Sequence, residues 1–283
     1  MDAAENVFVN SDGHRIHSVR WNAGQADARG VALILHGGAE HSGRYVPMVT
    51  ELASRGFIVV SHDHRGHGKS EGPRLFVNSF DEYVEDAIQH LQILRADFPA
   101  LPVYLIGHSM GATIALCLVL DHSKDINVKG MVLVAPAFVS TQKSVPAFKV
   151  VMARLASKIY PQMQVAPIKP GWMSRDPQVL EDYKTDPLVY HGGVKARWGL
   201  AYLDMLAAVK GRFAEVQLPF LTMHGSGDNL WSCKGSELFH EEASSTDKTI
   251  QIFDGAYHQI HHESEGVGSQ CIATIASWLQ DRS

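Results

Sequence analysis

Six short apolar runs punctuate the chain: VALIL at 31–35, FIVV at 57–60, VYLIG at 103–107, MVLV at 131–134, FLTM at 220–223 and TIQIF at 249–253. Each is brief, rich in β-branched side chains and bounded by Gly, Pro or polar residues, as strands buried on both faces are. Between them apolar positions recur with helical spacing and predict helices at about 44–55, 80–98, 110–121 and 266–281. Strands alternating with helices predict an α/β fold, a mostly parallel central sheet flanked by helices. No internal repeat and no low-complexity segment interrupts this order.

One interval breaks the rhythm. Between Val134 and Phe220 lie 85 residues, where an ordinary strand-helix-strand crossover needs roughly 30. An inserted helical cap is therefore expected over 137–215, with 1–136 and 216–283 forming the core domain. Within it, AFKVVMARLASKIY places Phe148, Val151, Met152, Leu155 and Ile159 on one helical stripe, with Lys149, Arg154 and Lys158 off it. Such a helix either packs its stripe on the core or serves as a lid that touches a membrane surface.

Composition narrows the classes. With 283 residues and 45% hydrophobic content the chain can bury a large core. A formal charge of −5 gives no electrostatic footprint for nucleic acid. The three cysteines Cys117, Cys233 and Cys271 are odd in number and widely spaced, which fits reduced thiols. The N-terminus lacks the basic start and apolar run of a signal peptide, and no run approaches 18 apolar residues. A cytoplasmic location is the expectation.

The chemistry begins at LIGHSMGAT, residues 105–113, where an apolar strand runs into Gly107-His108-Ser109-Met110-Gly111 and continues as a helix. This is G-x-S-x-G in the strand-to-helix setting that the nucleophile elbow requires. The turn is tight, so glycines stand where larger side chains would strike the neighbouring strand and helix. A serine there needs a base and an orienting carboxylate, in the order Ser, Asp or Glu, His. Asp228 in MHGSGDNL and His258 in FDGAYHQIHH each follow a predicted strand and meet that order. The oxyanion hole is assigned to the backbone N–H groups of Met110, at the helix start, and of Gly38, in the slim His36-Gly37-Gly38 turn after an early strand.

Rival motifs fail on the same residues. GHGKS at 66–70 lacks the earlier glycine of a phosphate-binding loop, because Asp63 stands at that place. The histidines at 62, 64 and 67 and at 258, 261 and 262 have no accompanying Cys or HExxH spacing, so no metal site is assigned. No organic cofactor is called for either.

Taken together, HGGAEHSGRY, HDHRGHGKSEG, GHSMGA, SRDP, DPLVYHGG, GSGDNL and GAYHQIHHE resemble the monoacylglycerol lipases of the α/β-hydrolase fold, from about residue 5 to the C-terminus. The resemblance implies hydrolysis of monoacylglycerols to fatty acid and glycerol by an enzyme in peripheral contact with membranes through its cap. It also implies substrate contacts from Glu40, Arg44, His108, Tyr183 and His261. Two departures stand out. The family commonly has Gly-Ala-Gly-Glu where this chain has Gly37-Gly38-Ala39-Glu40. Cysteines near the pocket of vertebrate members are replaced by Tyr190, Arg197 and Trp231, the last of which is expected to narrow the site. Lysophospholipase or broad carboxylesterase activity, and a non-catalytic lipid-binding protein on a hydrolase scaffold, are the competing readings.

Overall fold

Alternation along the buried strands divides the interior into two layers. The structure, a computed structural model, describes residues 2–141, 154 and 157–283. Its main sheet has eight strands: β1 (Ala3–Val9), β2 (Arg15–Trp21), β3 (Gly30–Leu35), β4 (Phe57–His62), β5 (Val103–His108), β6 (Gly130–Val134), β9 (Phe220–Gly225) and β10 (Lys248–Phe253), in the order β1-β2-β4-β3-β5-β6-β9-β10. From β4 to β10 all neighbours pair parallel, whereas β2 pairs antiparallel with both β1 and β4. The expectation of a mostly parallel sheet flanked by helices is met.

Because successive side chains point to opposite faces, Val31, Leu33 and Leu35 of β3 join Val103 and Leu105 of β5 on one side, with Ala32, Ile34, Tyr104 and Ile106 on the other. Helices α1 (Val46–Ser54), α2 (Asp81–Asp97) and α3 (Met110–Ile126) then choose faces by their apolar stripes. The first face is covered by α2, through Tyr83, Ala87, Leu91 and Leu94, and by α3. The second is covered by α1 and by the Val267–Gln280 helix, through Cys271, Ile275 and Leu279. Two helical expectations need adjustment. The segment predicted from 44 begins as a 3-10 turn, Ser42–Tyr45, and α3 runs past 121 to Ile126 across a kink at His122.

Between β6 and β9 the described residues add no strand to the main sheet. They form a small antiparallel pair, β7 (Gln164–Ala166) with β8 (Val194–Lys195), and the helices Pro177–Thr185 and Ala196–Val209. The latter sends Tyr202, Met205 and Val209 into the first core layer. Of the predicted cap stripe, Phe148, Val151, Met152 and Leu155 lie outside the described residues, while Ile159 is exposed.

Candidate active site

Parallel strands deliver their carboxyl ends, and the loops that follow, to one edge. Ser109 follows β5, Asp228 follows β9 and His258 follows β10. Ser109 has φ 53° and ψ −114°, a strained backbone for a residue with a side chain. The neighbouring glycines show why no bulk is tolerated. A Cβ at Gly107 would meet the backbone of Gly111 and Ala112, and one at Gly111 would meet the Leu35 and His36 carbonyls of the adjacent strand. The strain lifts Oγ above the sheet at the start of α3.

The three side chains meet in one hydrogen-bonded run. His258 Nδ1 lies 2.7 Å from Asp228 Oδ2, and His258 Nε2 lies 2.8 Å from Ser109 Oγ. With Nδ1–H donating to the carboxylate, Nε2 is left to accept from the serine hydroxyl. Asp228 Oδ1 accepts from the N–H groups of Leu230 at 2.7 Å and Trp231 at 3.1 Å. Burial alone would raise the Asp228 pKa, but His258 and His224 beside it hold the carboxyl well below the usual range. His224, buried on β9, faces Asp228 Oδ2 at 3.2 Å and the Trp231 carbonyl at 3.1 Å.

Above Ser109 a cavity of about 210 Å³ opens. One wall is apolar and includes Trp198, Tyr202, Leu230 and Trp231; the other end carries Glu40, His108, Tyr183 and Gln259. Gly38 and Met110 line the same cavity. Tyr202 stacks on Trp198 with ring centroids 5.2 Å apart and lies 5.6 Å from Trp231.

The other expected substrate contacts are placed unevenly. Glu40 is 1% exposed, and its carboxylate is engaged by its own loop: Oε1 accepts from Gly37 N–H at 2.8 Å and Tyr45 hydroxyl at 2.6 Å, and lies 3.0 Å from His108 Nδ1. Its Oε2 accepts from Gln259 Nε2 at 2.8 Å. Burial opposes the charge, but His108, Arg44 and Tyr45 outweigh it and keep Glu40 ionised far below its ordinary pKa. Arg44 and His261 do not line the cavity. Arg44 sits 5.1 Å over the Tyr183 ring, and His261 stacks on Tyr45, held neutral by burial and by neighbouring His262 and His108.

Sequence reasoning did not single out Trp198, Tyr202, Tyr45 or Gln259. Trp198 and Tyr202 are four apart, the spacing of one helix face, and that signal was available. Among the described residues no group of three or more His, Cys, Asp or Glu side chains is arranged to hold a metal ion. The 62–67 histidines instead contact one another, His90 and backbone.

The family model described as "Serine aminopeptidase, S33" matches residues 26–265. "Monoglyceride lipase" of Homo sapiens is 34% identical over 275 residues, 97% of this chain and 90% of that protein. "Monoacylglycerol lipase" of Mycolicibacterium smegmatis is 33% identical, across 98% of this chain and 96% of its own. The crystal structure of a Paleococcus ferrophilus monoacylglycerol lipase superposes with a TM-score of 0.81 at 27% identity and full coverage of both chains. The chain thus belongs to the serine aminopeptidase S33 family of α/β-hydrolases and, within it, to the monoglyceride lipases.

Proposed function

We propose that this enzyme hydrolyses monoacylglycerols to fatty acid and glycerol through an acyl-serine intermediate. The observation that carries the reading is the continuous run from Ser109 through His258 to Asp228 at the floor of a cavity with one apolar wall and one polar end. His258 Nε2 takes the hydroxyl proton as Oγ forms a bond to the acyl carbon, and the carbonyl electrons move onto oxygen. The N–H groups of Gly38 and Met110 receive that oxyanion. Collapse breaks the bond to glycerol, whose oxygen takes the proton from His258. Water repeats the sequence on the acyl-serine and releases the acid, while Asp228 orients His258 and stabilises its positive form throughout. The chemistry calls for no metal or organic cofactor.

Polarity sets the orientation. The acyl chain lies along Trp198, Tyr202 and Trp231, and glycerol turns toward the polar end. There the Tyr183 hydroxyl and Gln259 Oε1 are buried without a partner among the described residues, which suits them to glycerol hydroxyls. Glu40 and His108 support that end, and Arg44 and His261 back it from behind. Segment 137–215 acts as the cap over core residues 1–136 and 216–283. Its exposed Ile159 and Tyr160, 71% and 67% accessible, stand in sequence beside the exposed Lys158, Met163 and Val165 and support transient contact with a membrane surface. Among the described residues no helix is long and apolar enough to cross a membrane.

A panel of monoacylglycerols, diacylglycerols and lysophospholipids tests the substrate, with fluorophosphonate labelling of wild type and Ser109→Ala alongside. Monoacylglycerols should be cleaved best, and label and activity should vanish together in the variant. Preference for diacylglycerols would overturn the head-group reading, and labelled Ser109→Ala would overturn the mechanism.

A further inference from the structure

The oxyanion-hole loop is held by a histidine whose tautomer the structure determines. His36 is fully buried at the end of β3. Its Nε2 lies 2.9 Å from the backbone N–H of His64, a group that can only donate, so Nε2 carries the lone pair. A neutral imidazole then bears its proton on Nδ1, which lies 2.7 Å from the carbonyl oxygen of Gly37. Burial keeps the ring neutral by pushing its pKa down to about 4. His64 closes the arrangement from the other side, its Nε2 lying 3.2 Å from the His36 carbonyl.

The Gly37 carbonyl belongs to the same peptide unit as the Gly38 N–H. A trans peptide is planar, with C=O and N–H pointing in opposite directions, so holding one aims the other. Gly38 borders the cavity, where a Cβ built on it would stand 3.8 Å from both Met110 Sδ and the Trp198 ring. The preceding peptide is fixed separately, since Gly37 N–H donates to Glu40 Oε1 at 2.8 Å. Both peptide units flanking Gly37 are therefore tied down by side chains. This matters because an oxyanion hole works by needing no reorganisation at the moment charge develops.

We infer that His36 is a positioning residue for the oxyanion hole: its Nδ1–H fixes and polarises the Gly37–Gly38 amide whose N–H receives the oxyanion. The inference rests on the serine-hydrolase reading above. A hydrogen bond at an amide oxygen strengthens its N–H as a donor, so the effect is electronic as well as geometric.

Two isosteric substitutions separate the two hydrogen bonds. His36→Asn places an amide N–H near Nδ1 and keeps the Gly37 contact. His36→Gln places its amide near Nε2 and keeps only the His64 contact. In His36→Gln, kcat should fall about 10- to 100-fold with KM little changed, short of the full loss of one oxyanion donor. The affinity of a trifluoromethyl ketone, which forms a tetrahedral oxyanion on the serine, should fall by the same factor, while that of the product fatty acid should hold. His36→Asn should recover most of both. These affinities report on folded molecules alone, so partial unfolding of a variant alters amplitude and leaves their ratio intact. Wild-type kcat in His36→Gln, or an unchanged ketone-to-product ratio in both variants, would overturn the inference. Ser109→Ala runs in parallel: activity surviving there would remove the underlying mechanism, whatever the His36 variants do.

Discussion

Lowering the pH from about 7 to 5 is expected to remove much of the folding stability, because several histidines are buried as neutral rings. Burial is the chief cause in each case, pushing His36, His62 and His262 down to about 4 and His67 to about 3. In the unfolded chain each would titrate near 6.5. Between about 6.5 and 4 the unfolded state therefore binds protons that the folded state refuses, and stability falls as pH falls through that window. At pH 5 each ring accounts for about 2 kcal/mol, or about 8 kcal/mol for four independent sites. His36 depresses His67 and His62 depresses His36, so part of this is counted twice, and about 5 kcal/mol is the smaller figure. Either is comparable with a domain's whole stability of about 5–15 kcal/mol. Local geometry shows why the fold resists the proton: His62 and His90 share one hydrogen bond, their Nδ1 atoms 2.9 Å apart, and a second proton would set two N–H groups against each other. His17 works the other way. Asp63 raises its pKa, so its contribution grows as pH drops toward 6.5. The depressed carboxyls of Glu40 and Asp63 stabilise the fold above their unfolded pKa, and that share is lost only as pH falls below about 4. Urea titrations at about pH 7 and 5, followed by tryptophan fluorescence, should show the midpoint collapsing. Calorimetry in buffers of different ionisation enthalpy should register uptake of at least about three to four protons on unfolding at pH 5, since His64, His90 and His261 are also held well below their ordinary value by burial. A steady midpoint, or uptake of about one proton or fewer, would refute the reasoning.

Asp228→Asn should leave the fold intact yet lower kcat by about 10⁴, since the amide no longer holds the His258 tautomer that accepts the serine proton; steady-state kinetics checks this. Gly111→Ala drives a methyl group into the Leu35 and His36 carbonyls of β3, so thermal melts should show a loss of at least about 1–3 kcal/mol. Trp231→Ala removes a ring from the apolar wall while leaving the backbone N–H that binds Asp228. Kinetics across acyl chain lengths should then favour longer chains, by about fourfold for each further methylene buried.

How much of the fold could be read in advance depended on burial. Strands β3 to β6 and β9 lie inside the sheet, and their apolar runs stood out against polar flanks; β10 is its far edge and only partly buried, not buried on both faces as its run suggested, and showed itself by the β-branched Thr249, Ile250 and Ile252. β1 did not. It is an edge strand exposed along most of its length, so nothing forces its side chains to alternate. The Ala196–Val209 helix did carry a signal, a stripe of Leu200, Ala201, Met205 and Val209, but not its place in the fold. Its partners lie in the first core layer, and nothing local to 196–209 indicates that the chain returns there.

The site divides along the same line. Ser109, Asp228 and His258 could be named because the reaction dictates residue type, chain order and a place after a strand. The parallel sheet then supplies their proximity, by setting β5, β6, β9 and β10 side by side with their carboxyl ends together. The polar end of the cavity follows no such rule. The family resemblance implies Glu40 as a substrate contact, yet folding surrounds it with Gly37, Tyr45, His108 and Gln259, the last 219 positions away. With Oε1 engaged by three groups and Oε2 by Gln259, the proposed reading gives Glu40 its effect chiefly through the loop it holds. On the proposed reading, head-group recognition falls to two buried atoms that have no partner among the described residues, the Tyr183 hydroxyl and Gln259 Oε1. Tyr183→Phe should then raise KM for monoacylglycerols while sparing simple alkyl esters of the same acid, since those have no hydroxyl to offer. An equal rise for both substrates would mean that the hydroxyl serves the cavity's shape alone.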